Sequence, residues 1–253
     1  MLELIIVAVA SAMAGFVDAV VGGGGLILIP ALFSAYPGAA PAPLFGTNKA
    51  AAVWGTGWAC VQYFRRVQLS VRALLPAVAC AAVASFIGAG LVTRVDPTVL
   101  RQGLPLILVL LLVYTLVRKD LGRTHAPRWS GGIQATAAGI IGAVVGLYDG
   151  FFGPGTGSFF VFAFVRVLGY DFLHASAAAK LLNASTNVAA IVRFGLAGQV
   201  WWEIALVLAV ANVAGSLLGT RLALRHGAGF VRAMFVLVVG ALILKTGYDA
   251  YLR

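Results

Sequence analysis

The chain has 253 residues, of which 61% are hydrophobic and only 10% charged, with a mean hydropathy of +0.99. Soluble domains are about 45–50% apolar and about 25% charged, so this chain lacks the polar surface to cover itself in water and needs lipid around it. The net charge of +10 does not point to nucleic acid, because the arginines fall in ones and twos between apolar runs, as in "YFRRVQLSVR" and "LVRKDLGRTHAPR", which is how loops of a multispanning protein look.

A spanning helix needs about 20 mostly apolar residues. In chain order, the candidates are residues 3–35, 46–64, 71–93, 98–117, 131–168, 175–194, 201–223 and 229–251. The first and fifth are too long for one straight crossing at about 1.5 Å rise per residue. Both contain a glycine-rich interruption, "VVGGGGL" and "FFGPGTGS". Each is expected to be a broken helix, or a helix followed by a re-entrant half-helix. The N-terminus "MLELIIVAVASAMAGFVDA" resembles a signal peptide but lacks a basic start and carries Glu3, so it is read as the first membrane segment.

If the first and fifth segments each cross once, both termini share a side with Arg65, Arg66, Arg72, Arg118, Lys119, Arg123, Arg128, Arg193 and Arg253. Arg94, Arg101, Arg166, Arg221, Arg225 and Arg232 face the other way. That excess places both termini in the cytoplasm of a bacterial-type inner membrane. Trp129, Trp201 and Trp202 fall at segment ends, where interfacial anchors belong.

The sequence repeats itself at an offset of 131 residues. "GFVDAVVGGGG" (15–25) matches "GLYDGFFGPGT" (146–156), pairing Asp18 with Asp149, Gly22 with Gly153 and Gly24 with Gly155. The register holds downstream, with Lys49 on Lys180, Ser85 on Ser216, Gly88 on Gly219 and Arg94 on Arg225. The expected architecture is therefore all-α and polytopic. It has about eight transmembrane segments in two four-segment repeats, 1–120 and 131–253, joined by a polar linker at 121–130. Four crossings per half predict parallel repeats; an odd effective count through the broken segments predicts inverted ones. Both arrangements can place a site at the repeat interface.

Four charges lie inside apolar segments: Asp18, Lys49, Asp149 and Lys180. A charge at the bilayer centre costs about 2.5–3.5 kcal/mol on insertion scales, so each should face a partner, a cavity or a substrate. Two Asp–Lys clips that only hold helices together are the plainer reading. Lys180, Asn183 and Asn187 are spaced to share one face of "ASAAAKLLNASTNVAAIV", with Ser176 a turn earlier. In the first half, Ala52 and Thr56 replace the asparagines, while "GTNKAA" sets Thr47 and Asn48 beside Lys49. Such divergence suits one asymmetric ligand, and an interhelical hydrogen-bond seam is the alternative.

The glycine breaks free backbone N–H groups that lipid cannot satisfy. With Gly24 and Gly155 at the breaks and hydroxyls from Thr156 and Ser158, they would form an anion site at two helix N-termini. Close helix packing is the simpler role for the glycines. "GGGGLI" fails GxGxxG at Ile27, and "GPGTGS" has no P-loop lysine. Cys60 and Cys80 read as small buried hydrophobes. His125, His174 and His226 lie at unrelated positions in or near loops, so a surface role is expected and no metal or cofactor site.

"GFVDAVVGGGGLILIPAL" followed by "GTNKAAAVWGT", both echoed in the second half, resembles the sulfite exporter TauE/SafE family of membrane permeases over about residues 8–250. The resemblance implies a bacterial or plant multispanning protein that moves sulfur-containing anions such as sulfite, sulfonates and sulfoacetate. The second half departs from the motif, with Ala178 and Ala179 before Lys180.

The expected function is a gradient-driven transporter, as an exporter, of small anions. Lys49 and Lys180 would attract the anion, Thr47, Asn48, Asn183 and Asn187 would orient it, and Gly24, Gly155 and Thr156 would offer donors. Asp18 and Asp149 would hold the lysines or couple transport to protons or sodium. Its partners are the lipid bilayer and the anion, with no nucleic acid; homo-oligomerisation is open. The competing classes are an intramembrane enzyme using an Asp as acid or base, and a membrane scaffold with purely structural Asp–Lys pairs.

Overall fold

The computed structural model describes residues 2–92, 109, 112–113, 122 and 124–251. The fourth predicted segment, 98–117, lies almost wholly outside the described residues, as do Arg94, Arg101, Arg118, Lys119, Arg123 and Arg253. What is described is all-α. Helix α1 spans Leu2–Val21, α2 Gly25–Ala35, α3 Pro41–Phe64 and α4 Val71–Leu91. Then come α5 Gly131–Phe151, α6 Thr156–Ala163 running into a π turn Phe164–Leu168, α7 Phe172–Leu196 and α8 Trp202–Tyr251. Helix α8 is interrupted at Gly227, whose φ of 72° and ψ of −163° are not helical.

Four of these helices are long and apolar enough to cross a bilayer: Leu2–Val21, Leu74–Leu91, Gly131–Phe151 and Trp202–Ala241. The expectation of about eight spans is met only in this coarser form. Helices α3 and α7 have the length, 24 and 25 residues, but carry the polar residues singled out above. The outer faces are oily: Ile5, Ile6, Val9 and Met13 on α1, and Leu206, Val210, Leu217 and Leu218 on α8, are exposed. Such continuous apolar exposure fits lipid and not water.

Both long predicted segments are broken where the glycines lie, and both reverse direction there. A Cβ on Gly24 would sit 2.5 Å from the Ala14 carbonyl oxygen. A helix continuing past Val21 would carry residue 24 about 15 Å from residue 14, so α2 folds back along α1. Leu28 and Leu32 of α2 accordingly pack with Val7 and Ala14 of α1. In the second segment, the rings of Tyr148 and Phe159 lie 5.1 Å apart, where a continuing helix would separate those residues by about 16 Å along its axis.

The elements recur at the sequence offset: adding 131 to the bounds of α1, α2, α3 and α4 falls on α5, α6, α7 and the start of α8 to within a few residues. Matched elements run in opposite directions. Trp201, just beyond the end of α7, donates its N–H to Thr47 Oγ1 near the start of α3 at 3.0 Å. At the other end, Gln68–Ser70 after α3 border a cavity with Arg128 before α5 and Tyr170 before α7. A helix that folds back makes no net crossing, which is the odd-count alternative that the sequence left open.

The halves also interlock. α1 packs on α8, and α5 packs on α4, through small residues that let backbones touch. A Cβ on Gly142, Gly146 or Gly150 would fall 2.4, 2.5 or 1.9 Å from the carbonyl oxygens of Ala77, Ala81 and Ser85. On the matched face, Gly15, Gly215 and Gly219 meet the carbonyls of Asn212, Ala12 and Phe16 equally closely.

Candidate functional site

Helices α3 and α7 bring their polar residues to mid-length. Lys49 is the ninth residue of α3 and Lys180 the ninth of α7, so both are about 12 Å from a helix start. The two breaks meet beside them. A Cβ on Gly22 would lie 2.3 Å from the Gly157 backbone, and Ser158 donates its hydroxyl to the Gly22 carbonyl at 3.1 Å. Gly22 has φ +79°, Gly153 +87° and Gly155 +83°, a left-handed region in which side chains cost about 1–2 kcal/mol. The glycines thus serve both the turn and the approach of one turn to the other.

The four buried charges pair across the halves. Lys49 Nζ of α3 lies 2.5 Å from Asp149 Oδ1 of α5, with side chains 5% and 1% exposed. Lys180 Nζ of α7 donates to the Asp18 backbone carbonyl and lies 3.4 Å from Asp18 Oδ2. Desolvating such charges is costly unless each is paired and its remaining polar positions are filled. The first pair to be judged on that rule, Asp18–Lys180, is well supplied. Thr56 donates to Asp18 Oδ2 at 3.0 Å and Asn183 Nδ2 to Asp18 Oδ1 at 3.4 Å. Asp149 differs: its Oδ2 is buried with no hydrogen-bond partner among the described residues, and so is Asn48 Oδ1.

Asp18, Asn48, Lys49, Asp149, Asn183 and Asn187 line one small cavity at the meeting of the breaks, which admits water-sized spheres over about 30 Å³. Gly23, Gly24, Gly25 and Gly157 also contribute to its wall. Their N–H groups take no backbone partner among the described residues. An ammonium and several carboxamides beside two helix starts are the chemistry of an anion site. The quartet of charges is itself neutral, so an anion here competes with Asp149 for Lys49.

Other predicted site residues are placed differently. Lys180 is fully buried behind Asp18 and does not line the cavity. Thr47 accepts the Trp201 N–H and also stands outside it. Gly155 packs on Leu26 and Phe159. Thr156 lines the cavity, but its hydroxyl donates to the Gly153 carbonyl at 2.7 Å and closes the turn. Sequence reasoning passed over Asn212, which lines the cavity and whose Nδ2 donates to the Ser11 carbonyl at 3.1 Å. An isolated asparagine in the apolar run of α8 was the available signal.

One smaller expectation is corrected, and the histidines gain a contact the sequence did not show. Cys80 is exposed on α4, whereas Cys60 is buried. His125 and His174, unrelated in sequence, stack at 3.8 Å. Asp171 caps α7 by accepting the His174 N–H at 2.7 Å, and its other oxygen lies 2.8 Å from His174 Nδ1. Burial first, then the neighbouring His174, holds His125 below its usual 6.5, against the opposing pull of Asp171. With its folded value lowered, protonation of His125 works against this stack, so the contact is full above pH 6.5 and weakens as pH falls below it.

The family model described as "Sulfite exporter TauE/SafE" matches residues 7–246. "Probable membrane transporter protein YfcA" of Escherichia coli (strain K12) is 39% identical over 239 residues, covering 94% of this chain and 87% of that protein. "Probable membrane transporter protein ORF9" of Sinorhizobium sp is 35% identical over 237 residues, covering 94% and 89%. A "Probable membrane transporter protein" of Haemophilus influenzae is 32% identical over 238 residues, covering 94% and 91%. No solved structure matches the chain.

Proposed function

This chain belongs to the sulfite exporter TauE/SafE family and is an integral membrane transporter of the bacterial inner-membrane type, not an enzyme, and we propose that it carries small anions, with sulfur oxyanions such as sulfite or organosulfonates as the leading cargo. The observation that carries the reading is the cavity where Lys49, the asparagines and the glycines of both breaks meet. Its roughly 30 Å³ of accessible space holds only a few waters, so the cavity must widen to take an oxyanion.

We assign residues 1–120 and 131–253 to two inverted repeats joined by 121–130. The antiparallel matched elements and the contact between Gly22 and Gly157 support this division. Rocking of the interlocked halves about that contact would expose the cavity to each side in turn. The Asp18–Lys180 pair, with each Asp18 oxygen supplied, acts as a structural clip. The Asp149–Lys49 pair opens into the cavity and serves the anion. Movement of the anion is driven by a membrane gradient, to which the membrane potential contributes about 2.3 kcal/mol per 100 mV for each net charge carried.

The reversals also change the reading of sidedness. Arg65 and Arg66 follow α3, Arg128 precedes α5, and Arg166 lies in the π turn before α7. All stand at the end away from Leu2, while Arg193 near the end of α7 stands beside Gly90 at the other. The positive-inside rule then puts that arginine-rich end in the cytoplasm and the start of α1 outside, in place of a cytoplasmic N-terminus. In a cysteine-free background, Gln68→Cys is expected to react with an impermeant maleimide only from the cytoplasmic side and Ala197→Cys only from outside. The opposite labelling pattern would reverse the assignment.

Thermal-shift screening of purified protein against sulfite, sulfate, thiosulfate, methanesulfonate and carboxylates tests the cargo. A ligand at 100 times its Kd stabilises by about 2.7 kcal/mol, a shift of several degrees. Stabilisation by sulfite or the sulfonate ahead of the carboxylates is expected; stabilisation by carboxylates alone would move the cargo to another class.

A further inference from the structure

The two ion pairs are related by the repeat but are not equivalent, and the difference assigns them different parts. When an anion takes Lys49, the ammonium can no longer serve Asp149 in full. Asp149 Oδ1 then loses its 2.5 Å partner, and Oδ2 has no donor among the described residues to begin with. A bare carboxylate beside a bound anion, out of water, is a like-charge contact of the costliest kind. Asp18 escapes this fate, because Thr56 and Asn183 supply its two oxygens independently of any lysine.

From this asymmetry we propose that Asp149 alone takes up a proton as the anion binds, so that the protein carries anion and proton together. This rests on the anion-site reading above and names its coupling ion and its coupling residue. Proton and anion arrive as one neutral pair. Lys49 passes from carboxylate to anion, and Asp149 Oδ2 receives the proton, with no other bond made or broken. The second unfilled acceptor, Asn48 Oδ1, belongs to the residue next to Lys49 and lines the same cavity. A wall with unfilled acceptors on this side lacks a positive hydrogen, not a further oxygen.

The charged and titratable groups around Asp149 are few. Lys49 reaches it from α3, Asp18 faces the cavity from α1, and Lys180 of α7 is committed to Asp18. Tyr148 on its own helix donates to the Pro154 carbonyl at 2.5 Å. Helices α2 and α6 carry no titratable side chain, and α4 between Leu74 and Leu91 carries only Cys80. Arg166 follows α6 in the π turn. Among the described residues, Asp149 is the carboxylate left without a donor when Lys49 is drawn away, whereas Asp18 keeps Thr56 and Asn183.

By reciprocity, anion affinity must then rise as pH falls, by about tenfold per pH unit where one proton is taken up. The test is isothermal titration of the full-length protein with methanesulfonate, which stays ionised over the range, in two buffers of different ionisation enthalpy. The expected wild-type result is uptake of about one proton per anion, and Asp149→Asn binds with none, its affinity flat with pH. Asp149→Glu restores the uptake. Asp18→Asn keeps it; if that variant does not fold, the Asn and Glu variants at 149 decide alone. Wild-type binding without proton uptake, or full uptake in Asp149→Asn, overturns the inference while leaving the anion site standing. A wild type that binds neither methanesulfonate nor sulfite overturns the anion site itself, and the coupling with it.

Discussion

Lys49→Met abolishes anion binding and also lowers stability, because it strands Asp149 as an uncompensated buried charge 1% exposed. Removing one partner of a buried pair typically costs about 3–5 kcal/mol. Adding Asp149→Asn to Lys49→Met neutralises both sides at nearly constant shape and is expected to recover most of that stability. Binding stays lost, because the ammonium that holds the anion is still absent. Lys180→Met separates the two roles from the other side. It removes the counter-charge of Asp18 and the donor to its backbone carbonyl, while Thr56 and Asn183 stay on the carboxylate. Its loss is therefore one of folding, read in thermal melts and in the yield of monodisperse protein. If Lys49→Met bound anions with wild-type affinity, Lys49 would be a clip like Lys180.

Gly22→Ala is the second large effect. The added methyl would sit 2.3 Å from the backbone of Gly157, with φ at +79°. Neither atom is the movable tip of a side chain, so the break-to-break contact must open. Left-handed strain costs about 1–2 kcal/mol and overpacking about 1–3 kcal/mol more. Gly157→Ala meets the Gly22 Cα at 2.4 Å and should approach the same loss without the strain at residue 22. Gly38→Ala, which meets nothing within 4 Å, is the control with a change near zero. Wild-type melting of Gly22→Ala would contradict the contact between the breaks.

The location of the breaks was legible because four glycines in a row at 22–25, and three glycines around Pro154, stand out in apolar sequence. Their reversal was not. A glycine run states that a helix stops, while its direction afterwards is set by Gly24 lying on the Ala14 carbonyl and Ser158 reaching Gly22. These are contacts between distant residues with no periodic signal. The sequence therefore left a straight broken helix and a re-entrant one open, and with them parallel and inverted halves.

The site shows the same division. Asp18, Lys49, Asp149 and Lys180 declared themselves as charges in membrane segments, and the repeat tied them together. Which Asp meets which Lys depends on α1 packing on α8 and α5 on α4, so the pairing across halves was hidden. The inequality of the pairs was partly visible. Thr56 stands where the second half has Asn187, and it is Thr56 that supplies Asp18. Thr47 and Lys180 read as anion contacts because they neighbour or repeat the motif, yet rotation about the helix axis turns Thr47 to Trp201 and Lys180 to Asp18.

The central claim is that an anion crosses through the cavity at Lys49. Its most direct test is the flux of radiolabelled sulfite through proteoliposomes holding either wild type or the Lys49→Met/Asp149→Asn double variant, each checked for folding by its melting curve. Saturable flux is expected in wild type, and flux at the level of empty liposomes in the folded double variant. Equal flux in the two would contradict the claim.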